Sequence, residues 1–180
     1  MNTLYEKLDE RASRLLNQSK ALALPINLGA VADFLKLSIV EKPLEEEFSG
    51  FLAVNEKTIV INSHHVPVRR RFTAAHEIGH YMLHRKKNSD SPVFIDKTIY
   101  YRRESDTDST VNYRMEMEAN AFAAGLLMPL ILLEKYLDKH PEVDLGKTAD
   151  IKLIADEFEV SRPAMEYRLR NLGFLLPTSF

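Results

Sequence analysis

Cysteine is absent from the 180 residues, which excludes disulfides, cysteine-bound zinc and cysteine nucleophiles together. That composition suits a reducing compartment. An excess of one charge is missing too. With 24 basic and 26 acidic residues the formal charge is −2, so no global positive field argues for direct nucleic-acid binding. No apolar run approaches the roughly 20 residues that cross a bilayer. The start, MNTLYEKLDERASRLL, mixes charges into every turn and lacks the apolar segment of a signal peptide. These absences predict a soluble cytoplasmic chain with no membrane role. A chain of this length can bury a core unaided, as one domain or one with a small appendage.

What is present is periodic. Leu4, Leu8, Leu15 and Leu16 recur near helical spacing. A second helix is predicted from about Leu28 to Leu37, with Asn27 as its cap. Then SIVEKP, GFLAVN and KTIVIN read as short strands, the last two joined as a hairpin around Asn55–Lys57. Pro67 opens a helix predicted to run through His84. Between Lys86 and Asn112 the chain turns polar, with VFID and TIYY as short strands or docked segments. So long a connection is either a solvated link or a segment flanking a substrate. Helical patterning returns in YRMEMEANAFAAGLL, breaks at Met128-Pro129 and resumes in LILLEKYLDKH. The tail, TADIKLIADEFEVSRPAMEYRLRNLGFL, reads as two helices around Val160-Ser161. The predicted class is α+β, with a small, mostly antiparallel sheet. Residues 1–145 form the main domain and 146–180 a helix-turn-helix-like extension.

Chemistry concentrates in FTAAHEIGHYMLH. Residues four apart on a helix lie about 40° apart around its axis, so His76 and His80 can aim their imidazoles at one point. Two neutral imidazoles suit zinc and leave room for a third ligand and a water. Glu77 follows about 100° further round, beside that point, where a carboxylate can take a proton from a metal-activated water. This is the H-E-x-x-H arrangement. Gly79 departs from helix propensity by about 1 kcal/mol, which predicts close packing there. A metzincin would need a third histidine at position 86, which is Lys86. His84 drifts away from the metal point and reads as a hydrogen-bonded structural residue.

The third ligand is then a carboxylate from a separate helix, and Glu116 or Glu118 qualifies. They stand about 200° apart, so only one can face inward. Met115, Ala119, Phe122 and Leu126 define the apolar stripe, and the two glutamates flank it on opposite sides. Asn120, on the same face as Glu116, is placed to orient that carboxylate, which tilts the choice to Glu116. Glu118 then supports the site from behind or faces solvent.

HEIGHYMLH followed by EMEANAFAAGLLMP resembles the ImmA/IrrE family of zinc metallopeptidases. The family segment E-x-E-A-N-x-F-A-x-x-L-L-M-P is met by Glu116, Glu118, Ala119, Asn120, Phe122, Ala123, Leu126, Leu127, Met128 and Pro129. The likeness runs from about Phe48 to Pro129, with a weaker match in the last thirty residues. It implies a zincin-like fold, with His76, His80 and Glu116 as ligands of one zinc (or another divalent ion such as manganese) and Glu77 as the catalytic carboxylate. It also implies cleavage of a helix-turn-helix repressor, in mobile-element, stress or toxin–antitoxin control. No room for a DNA-binding domain precedes the hairpin, so an Xre-type regulator is expected as a separate protein. Two alternatives remain: a zinc-containing partner that cleaves nothing, and a DNA-binding regulator acting through the last helices. In the tail, Lys147, Lys152, Arg162, Arg168 and Arg170 are balanced by Asp150, Asp156, Glu157, Glu159 and Glu166, which weighs against DNA. Further polar groups suited to an oxyanion are His64, His65, Tyr100, Tyr101 and Tyr113. Arg69, Arg70 and Arg71 are either a solvated helix start or a substrate-facing patch.

Overall fold

The structure, a computed structural model, describes residues 3–85, 93–97 and 109–175. Helix α1 (Thr3–Gln18) buries Leu8, Ala12, Leu15 and Leu16 along one stripe, while Leu4 lies exposed at its first turn. Helix α2 (Leu28–Leu35) begins at the expected cap, where the Asn27 side chain accepts the Ala30 amide at 3.0 Å. It stops short of Leu37 because Lys36 turns left-handed, at φ 58°, and closes the last carbonyls.

The sheet has the order β1-β3-β2-β4, with β1 (Ser38–Lys42), β2 (Phe48–Ala53), β3 (Thr58–Asn62) and β4 (Val93–Lys97). Strands β2 and β3 make the predicted hairpin, with Phe51 opposite Val60 and Ala53 opposite Thr58. Strand β4 adds antiparallel to β2, so VFID forms an edge strand, while β1 pairs parallel with β3. TIYY lies outside the described residues. At the end of β3, Asn62 is wholly buried and binds both sides of the turn. Its amide nitrogen donates to the carbonyls of Leu44, Glu45 and Phe48, and its oxygen accepts from the amides of Leu44 and His64. One side chain therefore ties the β1–β2 loop to the turn that launches the next helix.

That helix, α3 (Pro67–Leu83), packs against β2 and β3 on one side and α4 (Ser109–Leu127) on the other. Two glycines permit this. A Cβ at Gly50 would stand 2.5 Å from the Val60 carbonyl and 2.7 Å from Thr73 Cγ2. One at Gly79 would stand 3.1 Å from the Ala119 carbonyl and 3.2 Å from its Cα, which is the close approach that an off-propensity glycine predicted. Met115, Ala119, Phe122 and Leu126 are all buried, as the stripe required.

Helix α4 ends at Met128-Pro129, and α5 (Leu130–Lys139) follows. In the tail, α6 (Thr148–Glu157) and α7 (Arg162–Asn171) meet at a turn where Glu159 is left-handed and Ser161 accepts the Ala164 amide. Ile154, Phe158, Met165 and Leu169 join the hydrophobic cluster that holds Leu16, Phe122 and Leu133. The stretch Tyr113–Lys139 has the length and hydropathy of a membrane span, yet 61% of its most apolar window is buried inside the fold.

Candidate metal centre

The middle of α3 is enclosed on every side, from Thr73 through Tyr81. Burying so many polar groups in one helix is expensive unless each is matched or used. His76 and His80 are 2% exposed, and their Nε2 atoms stand 2.9 Å apart. Glu116, entering from α4, places Oε2 3.1 Å from His76 Nε2 and Oε1 3.2 Å from His80 Nε2. Donor atoms of these three residues all lie within 4.8 Å of one another. Ligands bound about 2.0–2.1 Å from a tetrahedral ion stand roughly 3.3 Å apart, so the spacing fits a small divalent cation after slight opening. The donor set, two imidazoles and a carboxylate, is one that zinc accepts. The Glu116 side chain keeps 30% of its surface exposed, so the cluster opens to solvent on the α4 side.

Electrostatics favours the donor forms. Burial, then the neighbouring His76 and His84, lowers the His80 pKa below the ordinary 6.5 against the pull of Glu116. Burial by itself would raise Glu116, but the adjoining His76 and His80 outweigh it and bring the carboxyl from 4.5 to about 2. Neutral imidazole and ionised carboxylate are the states a cation needs.

The surrounding residues differ from expectation in two respects. Asn120 Oδ1 sits 2.9 Å from His76 Nδ1, so the asparagine orients an imidazole rather than the Glu116 carboxylate. Its amide oxygen accepts the N–H of His76 Nδ1. Glu118 turns the other way, to His84 Nε2 at 3.1 Å, and accepts from Arg114 Nε at 2.9 Å. His84 is wholly buried and hydrogen-bonded, as expected, but its Nδ1 also lies 3.1 Å from His80 Nδ1. Spacing had placed His84 away from the cluster. The signal for its link was the repeat 76, 80, 84 together with the Arg114–Glu118 pair at i, i+4. Glu77 is wholly buried on the same helix.

The other candidates sit elsewhere. His64 is exposed in the turn after β3, and His65 is held against the Glu46 backbone, where burial and Arg69 lower its pKa. Tyr113 is exposed at the start of α4, and Tyr100 and Tyr101 lie outside the described residues. The arginine run serves the fold: Arg69 donates to Ser49, Arg70 pairs with Glu41, and Arg71 binds the Ile26 carbonyl and Glu159.

The model of the IrrE N-terminal-like domain (Peptidase_M78), a metallopeptidase family, matches residues 32–170. An "Uncharacterized immunity region protein 2" of Bacillus phage phi105 is 32% identical over 147 residues, which cover 81% of this chain and 82% of that one. Among solved structures, a Mycobacterium tuberculosis transcriptional regulator superposes with a TM-score of 0.61 at 17% identity. The match covers 91% of this chain but 46% of that one, so this chain spans about half its length, and the likeness speaks to fold alone.

Proposed function

The chain belongs to the Peptidase_M78 (IrrE N-terminal-like) family of metallopeptidases, and on that premise we propose that it is a zinc-dependent endopeptidase acting on a separate, Xre-type helix-turn-helix repressor. The observation that carries this reading is the convergence of His76, His80 and Glu116 from two helices, with a buried glutamate between the histidines. His76, His80 and Glu116 would hold the ion. When bound, it supplies Lewis acidity to a peptide carbonyl and acidifies a water. Glu77 would take the proton of the attacking water and pass it to the departing amine nitrogen. Asn120 holds His76 in the orientation that presents Nε2 to the ion. The open side beside Glu116 is where a peptide enters. The immunity-region relative supports a role in the control of a mobile element, in the cytoplasm, where such a repressor works.

The DNA-binding alternative is weakened by α7 itself. Arg162 and Arg170 both pair with Glu166, and Arg168 is buried against Asp9, so each arginine of that helix is already engaged within the fold. The test is to incubate zinc-loaded protein with a purified Xre-type helix-turn-helix regulator and to analyse fragments by mass spectrometry. Discrete fragments from the native protein, reduced on the order of 10³-fold in Glu77→Gln at unchanged zinc content, are the expected result. Equal fragmentation by both proteins would overturn the role given to Glu77. A stable complex without fragments would favour the binding module instead.

A further inference from the structure

Behind the candidate centre, four side chains form one hydrogen-bonded file: His80, His84, Glu118 and Arg114. Its first three members are buried, at 2%, 0% and 8% exposure, while Arg114 closes the file at the surface. Proton positions along it follow from one end. Arg114 Nε carries a hydrogen and can only donate, so Glu118 Oε1 accepts. An ionised carboxylate has no hydrogen to give, so at Oε2 it must receive one from His84 Nε2. A neutral His84 that donates through Nε2 has a bare Nδ1, and 3.1 Å away that atom faces His80 Nδ1. The hydrogen in that contact therefore sits on His80 Nδ1, and His80 Nε2 is left as a lone pair aimed at Glu116 and His76.

We infer that Glu118 and His84 are positioning residues that select the tautomer of His80 able to bind a metal, with Arg114 fixing the direction of the file. This deepens the metallopeptidase reading and rests on it for its metal-binding consequence. The two histidines of the pair are thus set by different devices. His76 answers directly to the amide oxygen of Asn120, whereas His80 answers through a second imidazole to a carboxylate. A carboxylate behind a ligand histidine also makes the ring a stronger donor.

The arrangement makes a prediction that packing alone does not. In Glu118→Gln the side chain keeps its shape, but Arg114 still demands an acceptor, so the amide oxygen faces Arg114 and the amide nitrogen faces His84. The amide nitrogen is a donor, so His84 Nε2 must accept. His84 Nδ1 then carries the hydrogen, and His80 is driven to the tautomer whose Nε2 is protonated and closed to metal. Adding Arg114→Ala removes the demand and lets the amide turn over, which restores the original order.

Two measurements test this on the full chain. Long-range ¹H–¹⁵N correlation spectra of the metal-free protein report the tautomer of His80, and competition with a chelator reports zinc affinity. The expected result is Nδ1–H at His80 in the native protein, Nε2–H in Glu118→Gln, and Nδ1–H again in the double variant. Zinc affinity should fall about 10- to 100-fold in Glu118→Gln and recover with Arg114→Ala. An unchanged His80 tautomer in Glu118→Gln, or a double variant no tighter than the single one, overturns the inference. If the native protein takes up no zinc, the peptidase reading fails, while the tautomer pattern still decides the file.

Discussion

Helices α3 and α7 both carry polar side chains into the core. Arg168 of α7 is 4% exposed and meets a fixed complement, with Nη1 3.0 Å from Asp9 and Nε donating to the Met128 carbonyl at 3.0 Å. His76 and His80 of α3 are as deeply buried, yet their Nε2 atoms face each other across 2.9 Å with a carboxylate beside them. The first arrangement sets a cation against an anion and a carbonyl. The second gathers three electron-rich atoms, which a shared cation reconciles. Burial therefore surrounds an ion pair in one helix and a cluster of donor atoms in the other, and the sign of the neighbours separates the two.

The largest test of that contrast is His76→Ala. Removing one of three donors should weaken zinc binding at least about 100-fold, read by chelator competition, with little change in the circular dichroism of the metal-free protein. Native-like affinity in this variant would remove the centre from α3. Asp9→Ala is the counterpart in the tail. It leaves Arg168 buried without its carboxylate and should cost about 2–3 kcal/mol in denaturant unfolding, a value reduced because Asp9 is partly exposed. Its zinc affinity should match that of the native protein, and a matching loss would mean the two regions act as one.

Gly79→Val sharpens the comparison, because it touches the interface that brings Glu116 to the histidines. With Ala119 backbone atoms already 3.1 and 3.2 Å from an added Cβ, the helices must part, at about 1–3 kcal/mol. Zinc affinity should fall together with stability, unlike in Asp9→Ala.

The smallest expected effect is of pH on the metal-free protein. The folded pKa of His80 lies below 6.5, so the unfolded chain binds the extra proton, and stability declines as pH falls below about 6.5. Glu116 stabilises the fold above 4.5, and that contribution is lost as pH falls from 4.5 toward about 2. Both act in one direction, in two windows visible as steps in thermal midpoint against pH. Glu116→Gln should abolish the lower step and, by removing the carboxylate that holds the His80 pKa up, deepen the upper one.

Much of this was legible in local pattern. The hairpin of β2 and β3, the Asn27 cap, the Met128-Pro129 break and the burial of Met115, Ala119, Phe122 and Leu126 all follow from turn chemistry and period. Gly79 announced its close neighbour because glycine inside a helix is unfavourable without one. The parallel pairing of β1 with β3 was not legible, since a short strand carries no record of its partner's direction. Nor was the partner of Asn120, assigned in the sequence to Glu116 on its own helix and found on His76 across the interface.

By itself the sequence determined which residue types could meet a metal, because i and i+4 spacing on one helix is set by helix geometry. Tertiary structure decided what each one faces. The side chains of Glu116 and Glu118 leave α4 on opposite sides, and only the packing of α4 against α3 directs one to His76 and His80 and the other to His84. Periodicity repeats within an element, whereas these contacts join residues of two different helices, 34 positions apart for His84 and Glu118, and depend on how closely the helices approach.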